Sequence, residues 1–154
     1  MNNSVRCPCY SLIPSYILRE SWGGEGSKFK ILSLYECQGF FSAIKLWPRH
    51  AVKGTAGADV IEQLKPHKQD YVISKTYYSC FYKTSLDKLL KKLKTNHLII
   101  TGVVTNICIL YTTAEAYMRG YKVTIPKNCV AALTKDEHRF ALQQRQHVFH
   151  AEIV

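Results

Sequence analysis

From residue 70 onward the apolar positions of the chain switch between two periods. DYVIS, at 70–74, is a short β-branched run and predicts a strand. In TSLDKLLKKLKT, Leu86, Leu89, Leu90 and Leu93 recur at the i, i+3, i+4 and i+7 spacing of an amphipathic helix. Thr84 or Ser85 is its N-cap, and Asp87 falls in the first turn, where the helix dipole favours an acid. HLIITGVV is apolar almost throughout, as a strand buried on both faces of a parallel sheet should be. A helix is predicted from about Asn106 to Arg119, stopped by Gly120. YKVTIP is the next strand, ended by Pro126. Thr134 and Glu137 have capping-box spacing and open a helix through about Gln146, and VFHAEIV is a last strand. This βαβαβαβ order predicts an α/β fold, a Rossmann-like parallel sheet with helices on both faces.

The first 45 or so residues do not join the pattern. They hold Pro8, Pro14, GGEG at 23–26 and one fair strand, KFKILSLY. The strand and helix that normally open such a domain are not legible, so the first strand region reads as degraded or missing. The predicted organisation is an atypical segment over 1–43 and the folded domain over 44–154.

The length, 154 residues, fits one domain. A chain of that size buries roughly 70 % of its unfolded surface and needs no disulfides to fold. No apolar stretch approaches the roughly 20 residues that cross a bilayer. The N-terminus, with Arg6, Pro8 and Pro14, makes a poor signal peptide. A cytoplasmic location is therefore expected, with the six cysteines reduced. Cys7 and Cys9 have no second pair at zinc-finger spacing, so a structural zinc is not expected. The net charge of +10 raises the question of nucleic acid. The lysines are spread out, however. The densest group, Lys88, Lys91, Lys92 and Lys94, lies opposite the leucine stripe and reads as a solvated face. No basic-aromatic stripe is present. Neither nucleic acid nor a membrane is an expected partner.

Two residues carry candidate chemistry. In open parallel sheets, ligands sit at the carboxyl ends of the strands. Lys75 ends DYVIS, and Cys108 follows HLIITGVV on the first turn of the next helix, so both should face one crevice. The positive end of the helix dipole and a nearby ammonium both favour thiolate. Unpaired N–H groups of that first turn could hold an oxyanion. Read from the local sequence alone, Cys108 is first a small buried hydrophobe packing a helix on a sheet, and Lys75 a strand-end lysine in solvent.

LWPRHAVKGTAGADVIEQL, DYVISKTYYSCFYKTSLDKLL and IITGVVTNICILYTTAEAYMRGYKVTIPKNCVAAL arrive in the order and at the spacing of successive blocks of a known family. From about Ile44 to the C-terminus the chain resembles the isochorismatase-like cysteine hydrolases, which include nicotinamidases and isochorismatases. The resemblance implies a Cys nucleophile that attacks a carbonyl or amide carbon, an Asp that takes its proton and a Lys that supports the charges. The Cys matches Cys108 and the Lys matches Lys75. It implies a cis peptide between Val103 and Val104, with the N–H groups of Val104 and Cys108 as oxyanion hole. Trp47 and Tyr78 match aromatic positions that pack a substrate ring; as plain residues they are core or rim aromatics. His50 matches the distal ligand of a metal site, but the Asp-x-His pair upstream is absent. No cofactor is therefore expected, and a divalent metal such as zinc only if other residues supply the missing ligands. A small-molecule substrate and a homo-oligomer are implied as partners.

One block is missing. The family's Asp closes its first strand, and here no aspartate precedes Asp59, which lies downstream of WPRH where that Asp does not occur. Glu36, near the end of KFKILSLY, would be the substitute base. Loss of a positioned base costs on the order of 100- to 10,000-fold in rate. The expected function is a cysteine hydrolase of the isochorismatase or nicotinamidase type acting on a small amide, impaired for want of the Asp. The alternatives are an inactive or frameshifted family member, or a non-enzymatic binding protein on the same scaffold.

Overall fold

A computed structural model describes the backbone of residues 15–22 and 28–34, together with residues 56, 60, 62, 65–75 and 77–154. Seven strands form one sheet: β1 Ser15–Trp22, β2 Lys28–Leu34, β3 Tyr71–Ser74, β4 His97–Val103, β5 Lys122–Ile125, β6 Val130–Ala131 and β7 Glu152–Ile153. The helices are α1 Leu86–Lys92, α2 Leu110–Met118 and α3 Lys135–Val148. The sheet order is β3-β1-β2-β4-β5-β7, with β6 beside the end of β4.

The α/β architecture is the predicted one, with differences at the N-terminal side. KFKILSLY supplies β2, which pairs parallel with β4 from Phe29 opposite His97 to Leu34 opposite Gly102. The segment SYILRESW, which carries no strand prediction, forms β1. It runs antiparallel to both β2 and β3, so it is the one reversed strand of the sheet among the described residues. The region that reads as degraded or missing thus still contributes two strands.

Each helix is positioned by its sequence. Leu86 and Leu90 of α1 are fully buried, Leu89 and Leu93 pack partly against the core, and Lys88, Lys91, Lys92 and Lys94 are exposed. Ser85 is the N-cap of α1 by position, while the Thr84 hydroxyl accepts from the Leu86 N–H at 3.3 Å. α2 ends in a paired hydrogen-bond motif around Gly120, whose φ is +82°. The N–H of Gly120 donates to Tyr117 O and that of Tyr121 to Ala116 O. The capping box of α3 forms as predicted, with the Thr134 side chain accepting from the Glu137 N–H and Glu137 reaching back. α3 runs on to Val148, two residues past the expected end, and takes the first residue of the predicted last strand. Only Glu152–Ile153 pair as β7. The core joins Leu98 and Ile100 of β4 to Leu86 and Leu90 of α1, Ile109, Ala116, Val123 and Ile125. No described helix is long and apolar enough to cross a membrane.

Candidate active site

β4 ends in a cis peptide between Val103 and Val104, the bond the resemblance implies. The chain then enters helix through a wide turn, Thr105–Ile109, before α2 begins. The N–H of Ile109 reaches five residues back to Val104 O at 3.3 Å, a π-type bond, and the N–H of Ile107 reaches the same oxygen at 3.1 Å. Such π-helical turns recur at functional sites. Cys108 sits in this turn, only 3 % exposed, with Val104 buried beside it.

Lys75 lies directly after β3 and is 1 % exposed. Its ammonium donates to Cys108 Sγ at 3.4 Å and to Tyr77 O at 3.1 Å. Three strand spacings separate β3 from β4 in the sheet, which is about 14 Å at the usual spacing. The gap is closed by the segment after Lys75 folding onto α2. The N–H of Cys80 donates to the Thr112 hydroxyl at 3.1 Å, and Tyr78 stacks on Tyr111 with centroids 5.3 Å apart and planes at 16°. Tyr78 is half-buried and Tyr111 exposed, so the pair forms an aromatic rim one turn along α2 from Cys108.

A second thiol lies nearby. Cys80 is fully buried, and burial pushes its thiol well above the usual range; the Lys75 ammonium and the Thr112 hydrogen bond act in the opposite direction. Cys129 is disulfide-bonded, so the expectation of six reduced cysteines does not hold.

Behind the turn, α3 supplies polar contacts that the sequence reading did not single out. His138 Nδ1 lies 3.0 Å from the Thr105 hydroxyl. Arg145, with no exposed surface, donates through Nη2 to Thr105 O. Burial lowers the Arg145 guanidinium to about 9. The signal for Arg145 was present, since it stands at i+4 from Ala141 on the buried stripe of α3, where an apolar residue would be ordinary.

Lys75, Tyr78, Val104 and Cys108 are therefore brought to one edge of the sheet. Trp47, His50, Glu36 and Asp59 lie outside the described residues. Among the described residues no group of three or more His, Cys, Asp or Glu could hold a metal ion. A separate groove of about 490 Å³ runs between β3 and α1, lined by Tyr71, Val72, Lys88 and Leu89 among others. It includes neither Lys75 nor Cys108.

Comparison with known proteins identifies the family. The family model described as the isochorismatase domain matches residues 38–153. The uncharacterized isochorismatase family protein YaaI of Bacillus subtilis is 44 % identical over 95 residues, covering 62 % of this chain and 52 % of its own length. The chain thus spans about half the length of that curated relative. A nicotinamidase from Staphylococcus aureus is 40 % identical with a TM-score of 0.52, over 53 % of this chain and 51 % of the other. An isochorismatase-like hydrolase from Alkaliphilus metalliredigens aligns over 85 % of this chain and 71 % of its own, at 30 % identity and a TM-score of 0.70. By its match to the family model over most of its length and by its fold, the chain belongs to the isochorismatase family.

Proposed function

We propose that this chain is a cysteine hydrolase in which Cys108 attacks the carbonyl carbon of a small, planar amide. The observation that carries the reading is the buried Lys75 ammonium 3.4 Å from Cys108 Sγ. A cation at that distance in a site shielded from water stabilises negative charge on sulfur. In this reading the thiolate adds to the amide carbon, and the carbonyl oxygen takes up the charge beside the N–H groups of Val104 and Cys108. The C–N bond then breaks as Lys75 hands a proton to the departing nitrogen; water later cleaves the thioester, releasing the acid, and the proton freed at sulfur returns to Lys75. Tyr78 flanks the substrate ring. The kinship to a nicotinamidase supports a C–N bond as the target.

The absence of any aspartate before Asp59 favours a second component of the reading, namely weak turnover. Without the family's base, the sulfur has to be deprotonated before the substrate arrives. Ammonia release is to be measured on a panel of nicotinamide, related amides and ureides. Weak turnover that disappears in Cys108→Ala is the expected result. Turnover that persists in Cys108→Ala would eliminate the mechanism. Complete absence of turnover in the parent chain would leave only an inactive scaffold.

A further inference from the structure

α3 grips the first residue of the Cys108 turn at two points. His138 meets the Thr105 hydroxyl and Arg145 the Thr105 carbonyl. The two side chains are seven residues apart, close to two helical turns, so both project from one face. Thr105 is itself fully buried. The grip of Arg145 is expensive for what it gives the fold. Its Nε and Nη1 are buried without a hydrogen-bond partner, and it forms no ion pair among the described residues. A buried cation with one of its donor groups satisfied costs more than a packed apolar side chain of similar volume.

We propose that Arg145 is a positioning residue for Cys108, kept for the geometry of the nucleophile's turn and not for the stability of the fold; this rests on the reading of Cys108 as nucleophile. The physical link is the planar peptide. Holding the Thr105 carbonyl toward α3 fixes the plane of the Thr105–Asn106 peptide and turns the Asn106 N–H the opposite way. That sets the roll of a turn whose next two residues lead to Cys108. Two N–H groups of the turn, those of Ile107 and Ile109, share Val104 O, so the Thr105 carbonyl is held from α3. The bond from Arg145 is charge-assisted, which makes it a stiffer restraint than a neutral donor would provide.

The test uses the full chain as Arg145→Met and Arg145→Lys. For each, the melting temperature and the rate of iodoacetamide labelling at Cys108 are measured at one fixed pH, with labelling read peptide by peptide. Arg145→Met is expected to melt at or above the parent temperature while Cys108 labelling falls roughly 10- to 100-fold, the scale of a small misplacement of a reacting group. Since only Nη2 is used, Arg145→Lys keeps a cationic donor and is expected to restore labelling to within about threefold of the parent. A lower melting temperature or failure to fold in Arg145→Met would show that the residue serves stability, and would overturn the proposal. So would unchanged labelling, or a loss that Arg145→Lys does not restore. If Cys108 in the parent chain reacts no faster than the other cysteines, the nucleophile reading itself fails, a result visible before either variant is made.

Discussion

At the scale of single residues, the proposed chemistry rests on the Lys75–Cys108 pair. A lysine that is 1 % exposed has given up its water, and its compensation includes the Tyr77 carbonyl and the Cys108 sulfur. In the proposed reading, charge separation across that contact is the state the site holds. Iodoacetamide near neutral pH is therefore expected to label Cys108 faster than any other free cysteine. Cys80 is the sharpest contrast, because burial holds it as a neutral thiol a short way off. Replacing Lys75 by Met should slow labelling at Cys108 about tenfold, the size of one unit of lost charge stabilisation, and leave the rest unchanged. Equal rates at Cys108 and Cys80 in the parent chain would refute the assignment.

At the scale of elements, α1 and α2 end in the same hydrogen-bond motif but with different residues in the left-handed position. After α2 it is Gly120, φ +82°; after α1 it is Lys94, φ +53°. The bonds match, with Lys94 N–H to Lys91 O and Thr95 N–H to Leu90 O, each at 3.0 Å. Only glycine adopts this conformation without a steric cost from Cβ. Lys94→Gly is expected to stabilise the protein by about 1 kcal/mol, and Gly120→Ala to destabilise it by about the same, in denaturant unfolding. Changes of equal sign would contradict the argument. Asp87 ties the same two helices together, accepting from Lys91 at 2.6 Å and from the Tyr121 hydroxyl at 3.1 Å, with Arg119 at 4.0 Å. The hydrogen bond from Lys91, ahead of that from Tyr121, holds the Asp87 carboxyl below its ordinary value of 3.8. A carboxyl lowered on folding adds stability above its unfolded value and loses it as pH falls through the folded one. Asp87→Asn should thus cost about 1 kcal/mol at neutral pH, discounted for its partial exposure. The gap from the parent should close as pH drops below about 3.8. A gap independent of pH would show that charge is not the cause.

At the scale of the whole molecule, β4 is the organising element. It pairs with β2, β5 and β6, carries the fully buried Leu98 and Ile100, and delivers the cis peptide and the Cys108 turn. Ile100→Ala should cost about 2–5 kcal/mol, a large share of the stability of a domain this size. Cys108 labelling should then lose its selectivity in the same temperature range in which the core melts. Retained selectivity after the core has melted would separate site from core and contradict their common dependence on β4.

The sequence by itself determined most elements from Tyr71 on, β6 and the full extent of β7 excepted, because their signals are local. The leucine stripe of α1, the glycine after α2 and the Thr134–Glu137 box each act within a turn or two of chain. It also determined that Lys75 and Cys108 lie at the carboxyl ends of their strands, since that follows from element order and the rule for parallel sheets. What it could not determine was contact. SYILRESW has no alternation strong enough to announce a strand, and its reversed pairing between β2 and β3 arises only from the partners on either side. Of VFHAEIV only Glu152 and Ile153 find strand partners, Thr124 and Ile125 of β5, a pairing that belongs to the assembled fold. Tertiary structure alone carried Lys75 across three strand spacings to Cys108, by docking the 77–85 segment on α2 through Cys80, Thr112 and the tyrosine stack. It alone placed Arg145 against Thr105, forty residues away in sequence. Periodicity fixes which face of an element turns inward, whereas the partner across the core depends on chain folding that no short window of sequence contains.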